Sequence, residues 1–385
     1  MGNLCSGSSN SDSRSQPTTR QNRHNTTLLS RDDGARHVGA SMIVETIPYE
    51  VKILCLGAGE SGKSTFRRQM RFLYNNSKSK DSEDDKRRIK QQIHSDMITG
   101  MRALIMLAKN DSCCEKIGMH LDPFNLASAE TLDVALPKKN GFYDLTVELG
   151  NCIQQLWKDP AIRACWKDRV ELWPFLGVTN ALSEEMYDSL EEYFDSTPRI
   201  QEDTYQPLHI DMIKCRVKTT GVEETLITVD GTSIRLLDVG GQKNERRKWI
   251  NFFDNCKVLL FFAPLSDYEL QLAEDPTVNR MHDSLALFDQ MCNSHFFKDS
   301  IILLLLNKDD IFRERIRVKD LTCCFPEYTG GKDYEKAGDF IKQKFLAVNK
   351  NPKKRIYSNM TNATDTASMK VVFDSLQVLL SSSGN

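Results

Sequence analysis

The sequence predicts an α/β fold: a mostly parallel sheet interrupted by an inserted all-helical domain. Three observations carry this. Six short runs of near-continuous Leu, Ile, Val and Phe recur along the chain, a glycine-rich loop follows the first of them, and the segment between the first and second runs shows helical periodicity only.

The runs are VKILCL (51–56), LITV (226–229), IRLLDV (234–239), KVLLFFAPL (257–265), SIILLLLNK (300–308) and KRIYSNM (354–360). Their lengths suit strands buried on both faces, and the spacings leave room for crossover helices. In RRIKQQIHSDMITGMRALIMLAK, the residues Ile89, Ile93, Met97, Met101, Leu104 and Ile105 recur at steps of three and four, the stripe of a long amphipathic helix. Further helices are expected around LTVELGNCIQQLWKD and SEEMYDSLEEYF. Residues 109–142 show no period and are expected to form a long loop.

Residues 1–47, crowded with Ser, Asn, Thr, Arg and Gln, are expected to be a flexible N-terminal segment. Its first residues, MGNLCS, fit a myristoylation pattern at Gly2, and Cys5 is placed for a second acyl chain. One myristoyl chain binds membranes only marginally, so both residues matter to an anchor. The most apolar run, SIILLLL, is far too short to span a bilayer. A net charge of −2 offers no global basic face, so nucleic acid is not an implied partner. The 11 cysteines form no C-x-x-C pair and read as reduced thiols.

Gly57-Ala58-Gly59-Glu60-Ser61-Gly62-Lys63-Ser64, continued by Thr65, satisfies G-x-x-x-x-G-K-[ST] between a predicted strand and helix. Backbone N–H groups of such a loop curl around phosphates, and the helix N-terminus adds partial positive charge. Lys63 can reach the β- and γ-oxygens, and Ser64 can ligate Mg²⁺. This specifies phosphate and leaves the base open.

The base is read at Asn307-Lys308-Asp309-Asp310, which ends a buried strand. In an N-K-x-D arrangement the Asp310 carboxylate accepts from guanine N1–H and N2–H₂, a donor pair that adenine lacks. Lys308 would lie along the ring face, and Asn307 would tie this loop to the phosphate loop. In LLDVGGQKNERRKW, Asp238 can hold Mg²⁺ through water, Gly241 can offer its N–H to the γ-phosphate, and Gln242 follows where an attacking water must be oriented. In KCRVKTTG, Arg216 precedes Thr219, whose hydroxyl can complete the Mg²⁺ shell. An arginine there can stabilise charge developing on the phosphoryl oxygens.

With these elements in order, the chain resembles the heterotrimeric G-protein α subunits, through GAGESGKST, RVKTTG, DVGGQ, ERRKW, LSDY, NRMHDSL, LNKDD and ATDT. The resemblance implies a Ras-like P-loop GTPase domain at 48–77 and 213–385, with an inserted helical domain at 78–212. It implies a membrane-tethered switch that binds GTP or GDP with Mg²⁺, hydrolyses GTP, and acts in receptor signalling at the cytoplasmic face of the plasma membrane. Metal ligation falls to Ser64 and Thr219, and catalysis to Arg216 and Gln242. Nucleotide contacts are implied for the phosphate loop, Lys214, Cys215, Asp238, Gly241, Asn307, Lys308, Asp310, Asn362, Ala363 and Thr364, the Ala363 contact running through its N–H. Glu60 would pair with Arg216, and Asp188 and Ser189 would reach over the nucleotide from the helical side. Arg247, Lys248, Trp249 and Phe253 would form the surface for a βγ dimer in the GDP state. A seven-helix receptor and GTPase-accelerating proteins are the further partners implied.

The chain departs from the family pattern at several positions. The last helix continues as LQVLLSSSGN without the family's Cys-Gly-Leu-type tail, and serines and glycine are weak helix formers. The alternative reading is therefore a GTPase of this type activated without a receptor. Asn362 stands where the family usually has Cys, Lys243 and Asn244 replace the usual Arg-Ser, and the N-terminus lacks a long charged helix. A nucleoside kinase or ATPase would need an adenine site and has no use for N-K-x-D or Gln242.

Overall fold

The computed structural model describes residues 50–74, 80–172, 187–217, 219–229, 231–272 and 274–382. The N-terminal segment with Gly2 and Cys5, and Lys218 within RVKTTG, lie outside them. Six strands form one sheet: β1 (Glu50–Gly57), β2 (Val222–Val229), β3 (Thr232–Val239), β4 (Val258–Pro264), β7 (Ile301–Asn307) and β8 (Ile356–Met360), with β5 (Gln271–Leu272) and β6 (Asp275–Asn279) pairing separately. The order across the sheet is β2-β3-β1-β4-β7-β8.

All neighbours are parallel except β2 and β3, which run antiparallel with Val229 opposite Thr232. LITV therefore belongs to an edge strand rather than to one buried on both faces. Across β2, Leu226 and Glu224 face out while Thr225 and Ile227 are buried, the alternation of a half-solvated strand.

Within the parallel strands, alternation sorts the side chains onto two cores. Leu54, Leu56, Leu259, Phe261, Leu304 and Leu306 face α12 (Arg280–Cys292), α13 (Asp309–Val318) and α14 (Tyr334–Ala347), which follow the short α11 (Lys243–Arg246). Ile53, Cys55, Leu260, Phe262, Leu303 and Leu305 face α1 (Lys63–Tyr74) and α15 (Thr366–Ser382). The sheet is thus covered on both sides, as a parallel sheet requires.

The insertion has its own core, built along α2 (Lys80–Ala108), and every residue of its predicted stripe is buried there. The other helices of this segment are α3 (Asp111–Ile117), α4 (Leu126–Val134), α5 (Val147–Trp157), α6 (Pro160–Lys167), α7 (Arg169–Leu172), α8 (Tyr187–Asp195), α9 (Thr197–Ile200) and α10 (His209–Lys214). Residues 109–142 are thus not one long loop. Asn110 caps α3 through Cys113 N–H, and Asp122 caps the 3-10 turn Pro123–Asn125 that leads into α4. These elements are too short to show a period.

The last helix runs through to Ser382, further than its serines alone would hold it. Leu376, Leu379 and Leu380 pack the preceding turns onto the sheet, which outweighs the weak propensity of the end.

Candidate functional site

The loops leaving the C-terminal ends of β1, β3, β7 and β8 converge, the side of a parallel sheet where ligands bind. Each carries one of the predicted motifs. The Lys63 ammonium, buried at the start of α1, donates to Gly57 O at 2.9 Å, Ala58 O at 2.6 Å and Ser61 Oγ at 3.1 Å. Gly62 sits at φ +99°, and a Cβ there would collide with the Asn307 carboxamide, so the close approach of the two loops requires glycine.

Asn307 joins three segments. Its Nδ2 donates to Ser61 O at 2.9 Å, and its Oδ1 accepts from Ala363 N at 2.9 Å and from the Thr361 hydroxyl at 3.3 Å. The base loop is thereby tied to the phosphate loop. The Ala363 N–H expected to meet the base is engaged by Asn307, so a base contact through it would share that donor. Asn362 accepts from Thr364 N–H at 2.9 Å and from its hydroxyl at 2.7 Å, fixing the turn into α15.

Lys308 adopts a left-handed backbone at φ +61°, rare for a residue with a Cβ. Asp310 is exposed in the first turn of α13. Thr65 is half-buried within α1.

The second cluster forms behind β3. Asp238 is 0% exposed, and neither carboxylate oxygen has a hydrogen-bond partner among the described residues. Burial pushes its pKa up, opposed by Lys63, Ser64 and Arg67. The Arg67 guanidinium is 3.7 Å away and also pairs with Glu223. Beside Asp238, the hydroxyls of Ser64 and Thr219 meet at 2.7 Å. A buried carboxylate with unused lone pairs next to two hydroxyls is an all-oxygen set that suits a hard divalent cation such as Mg²⁺.

Gly241 lies so close to the phosphate loop that a Cβ would come 2.6 Å from Lys63 Nζ and collide with Ala58 O. The Gln242 carboxamide packs on Gly59, with Nε2 2.9 Å from where a Cβ would stand. Gln242 is thus brought to the phosphate loop. Arg246 holds this stretch by donating to Gly241 O at 3.0 Å and to both Asp283 oxygens at 2.9 and 2.6 Å.

Arg216 is half-buried on the segment from the helices back to the sheet. Lys214 before it pairs with Glu192, and Lys214 O accepts from the Ser189 hydroxyl at 3.0 Å. Cys215 is buried against α2. For Asp188, the described part is its backbone in α8. The Glu60 carboxylate, at φ +62°, accepts from Arg280 at 3.2 Å. Arg280 also contacts buried Asp267 at 3.2 Å and Gly59 O at 3.2 Å, fastening the phosphate loop to α12.

The expected partner surface is only half present. Arg247 and Lys248 are exposed, but Trp249 is 3% and Phe253 6% exposed. The Trp249 indole N–H donates to Gly240 O at 2.8 Å, and Phe253 packs edge-on against Phe296 and Phe297. Burying two large aromatic rings outweighs presenting them to solvent, so both belong to the core in this conformation.

Sequence reasoning missed Arg280 and Arg246. Both stand in the quoted motifs, but their pairing with Glu60 and Asp283 depends on tertiary approach.

Comparison with known proteins agrees with this geometry. The family model described as "G-protein alpha subunit" matches residues 19–379. The chain is 37% identical over 324 residues to a protein named guanine nucleotide-binding protein subunit alpha from Emericella nidulans, covering 84% of this chain and 86% of the relative. It is 36% identical over 326 residues to the guanine nucleotide-binding protein alpha-1 subunit of Neurospora crassa, with the same coverage of each chain, 84% and 86%.

Proposed function

The chain belongs to the G-protein α subunit family, and from that premise we propose how its own residues run a GTP-hydrolysing switch. It is a guanine-nucleotide-binding GTPase of the heterotrimeric class. The residue roles below are our reading. The observation that carries it is the convergence of Gln242, Gly241 and Lys63 on one loop, with the Ser64–Thr219 pair beside buried Asp238.

In this reading residues 48–77 and 213–385 form the GTPase domain, and 78–212 the helical domain inserted in it. Lys63 and the N–H groups of residues 59–65 bind the β- and γ-phosphates, and Gly241 N–H meets the γ-phosphate. Ser64 and Thr219 would hold Mg²⁺, and the buried Asp238 carboxylate beside them would support it. Such a metal would supply charge neutralisation on the phosphate oxygens. Asp310 and Lys308 hold guanine, joined by Asn362, Ala363 and Thr364. Lys214, Cys215, Asp188 and Ser189 border the nucleotide from the helical side.

Gln242 orients the attacking water. The bond between the γ-phosphorus and the β–γ bridging oxygen breaks, a new P–O bond forms to the water oxygen, and the water's proton ends on the released phosphate. Arg216 and Lys63 stabilise the charge that moves onto the phosphoryl and bridging oxygens.

Among the described residues no helix is long and apolar enough to cross a membrane. The proposed tether is acylation at Gly2 and Cys5, supported by the MGNLCS pattern. Arg247 and Lys248 are the proposed contacts for a βγ dimer. Trp249 and Phe253 would join that surface only after the α11 segment repacks. Activation by a seven-helix receptor is proposed on the family's ground, and spontaneous GDP release faster than hydrolysis would mark a self-exchanging protein instead. The reading as a whole is tested by competing GTP against ATP for the purified chain. Equal competition would remove Asp310 from base recognition.

A further inference from the structure

We infer that Arg67 is a positioning residue that tunes the metal site: its guanidinium is a resident cation for Asp238, held where it competes with a divalent ion for that carboxylate. This rests on the reading of Ser64, Thr219 and Asp238 as the Mg²⁺ site.

The residues of α1 that reach the site share one face of the helix. Arg67 follows Ser64 by three residues and Lys63 by four, the spacing at which side chains are neighbours. Lys63 turns back onto the phosphate loop, Ser64 meets Thr219, and Arg67 reaches the sheet one turn further on.

Two carboxylates stand there. In the antiparallel pair of β2 and β3, Glu223 lies directly opposite Asp238, so their side chains share the α1 face of the sheet. Like charges at directly opposed positions repel. Arg67 bridges them: it pairs with Glu223, donates from Nη1 to the Thr225 hydroxyl at 3.3 Å, and brings Nε to 3.7 Å from Asp238 Oδ2.

The contact with Asp238 is the incomplete one. At 3.7 Å it is an ion pair but too long for a hydrogen bond, and neither Arg67 Nε nor either Asp238 oxygen has a hydrogen-bond partner among the described residues. Arg67 is 7% exposed and Asp238 fully buried, so solvent screens the pair little. Glu223 and Thr225 draw the guanidinium aside, which leaves the Asp238 lone pairs unused. Arg67 thus gives Asp238 charge without coordination. A divalent cation at the Ser64–Thr219 pair would take over Asp238 against the repulsion of Arg67, and its affinity would be lower than beside an unpaired carboxylate.

The experiment is calorimetric titration of MgCl₂ into the full chain, loaded with GTPγS and stripped of metal. Thermal unfolding of the same samples is followed in EDTA and in saturating Mg²⁺. Arg67→Leu removes the charge and keeps much of the volume, so the Mg²⁺ Kd should fall by about tenfold. Arg67→Lys keeps a cation in place and should stay within about threefold of wild type. Glu223→Gln removes the competing carboxylate and leaves the guanidinium to Asp238. It should raise the Kd by about threefold, and it serves as the second variant if Arg67→Leu does not fold. Arg67→Leu should also melt lower than wild type in EDTA, where Asp238 is stranded, and recover in Mg²⁺.

A Kd in Arg67→Leu equal to or weaker than that of wild type, or a melting loss that is the same with and without Mg²⁺, would reduce Arg67 to a brace between α1 and β2 and overturn the inference. So would an Arg67→Lys value as low as that of Arg67→Leu, or tighter Mg²⁺ binding in Glu223→Gln. If the loaded wild type took up no Mg²⁺, or Ser64→Ala left its Kd unmoved, the metal-site reading would fail instead, which is a separate outcome.

Discussion

Ser64 and Thr219 stand 155 residues apart in sequence, and their hydroxyls meet at 2.7 Å beside the buried carboxylate of Asp238. The helical insertion lies between them in the chain, so this contact joins the segments on its two sides. A hydroxyl pair next to an unsatisfied carboxylate gains most from a divalent cation.

Removing the metal with a chelator should therefore stop GTP hydrolysis. Ser64→Ala or Thr219→Ala should weaken the Mg²⁺ requirement curve by at least about tenfold, since even outer residues of a metal site are worth that much. A magnesium titration of phosphate release reads this directly. Curves that superimpose on wild type would remove both hydroxyls from the metal.

Gln242→Leu leaves the packing on Gly59 largely apolar but removes the carboxamide, and Arg216→Cys removes the charge. Each should slow single-turnover hydrolysis by at least about tenfold while nucleotide binding stays close to wild type. Unchanged turnover in either variant would deprive that residue of its role.

Arg246 and Asp283 form a two-pronged pair whose side chains are 15% and 11% exposed, and Arg246 also holds Gly241 O. Arg246→Ala strands Asp283 and frees the stretch that carries Gln242. The expected loss is about 2–4 kcal/mol in denaturant unfolding, together with slower hydrolysis. A loss within experimental scatter would show that the pair contributes little.

His94 of the helical insertion is buried, accepts from Leu145 N–H at 3.0 Å through Nδ1, and is pushed by burial down to about 4 despite nearby Asp144. The unfolded chain takes up a proton near pH 6.5 and the folded one only near pH 4, so unfolding binds a proton in that window. Stability from this residue is intact above about 6.5 and falls as pH drops toward 4, by about 3 kcal/mol in full. Unfolding curves of wild type and His94→Asn at pH 7 and pH 4.5 measure the difference, and equal pH slopes would contradict it.

The strands were legible because a sheet covered on both faces demands uninterrupted apolar runs, which few other elements need. The motifs were legible because phosphate, guanine and water each require particular groups at fixed spacing. What the sequence hid was set by tertiary approach. The antiparallel pairing of β2 follows from its place at the edge, α3 and α4 are too short to show a period, and the β5–β6 pair has only a few residues to announce it. The resemblance implied that Trp249 and Phe253 lie on a partner surface, yet Trp249 bonds to Gly240 O and Phe253 packs against Phe296 and Phe297, so both are buried.

The most direct test of the central claim is single-turnover phosphate release by the purified full chain, loaded with GTP and started with Mg²⁺ in about a hundredfold excess of ATP. The expected result is close to one phosphate released per bound GTP, at a rate that ATP leaves unchanged and that Gln242→Leu slows at least tenfold. Displacement of GTP by ATP, or bound GTP that persists unhydrolysed in the wild type, would contradict the account.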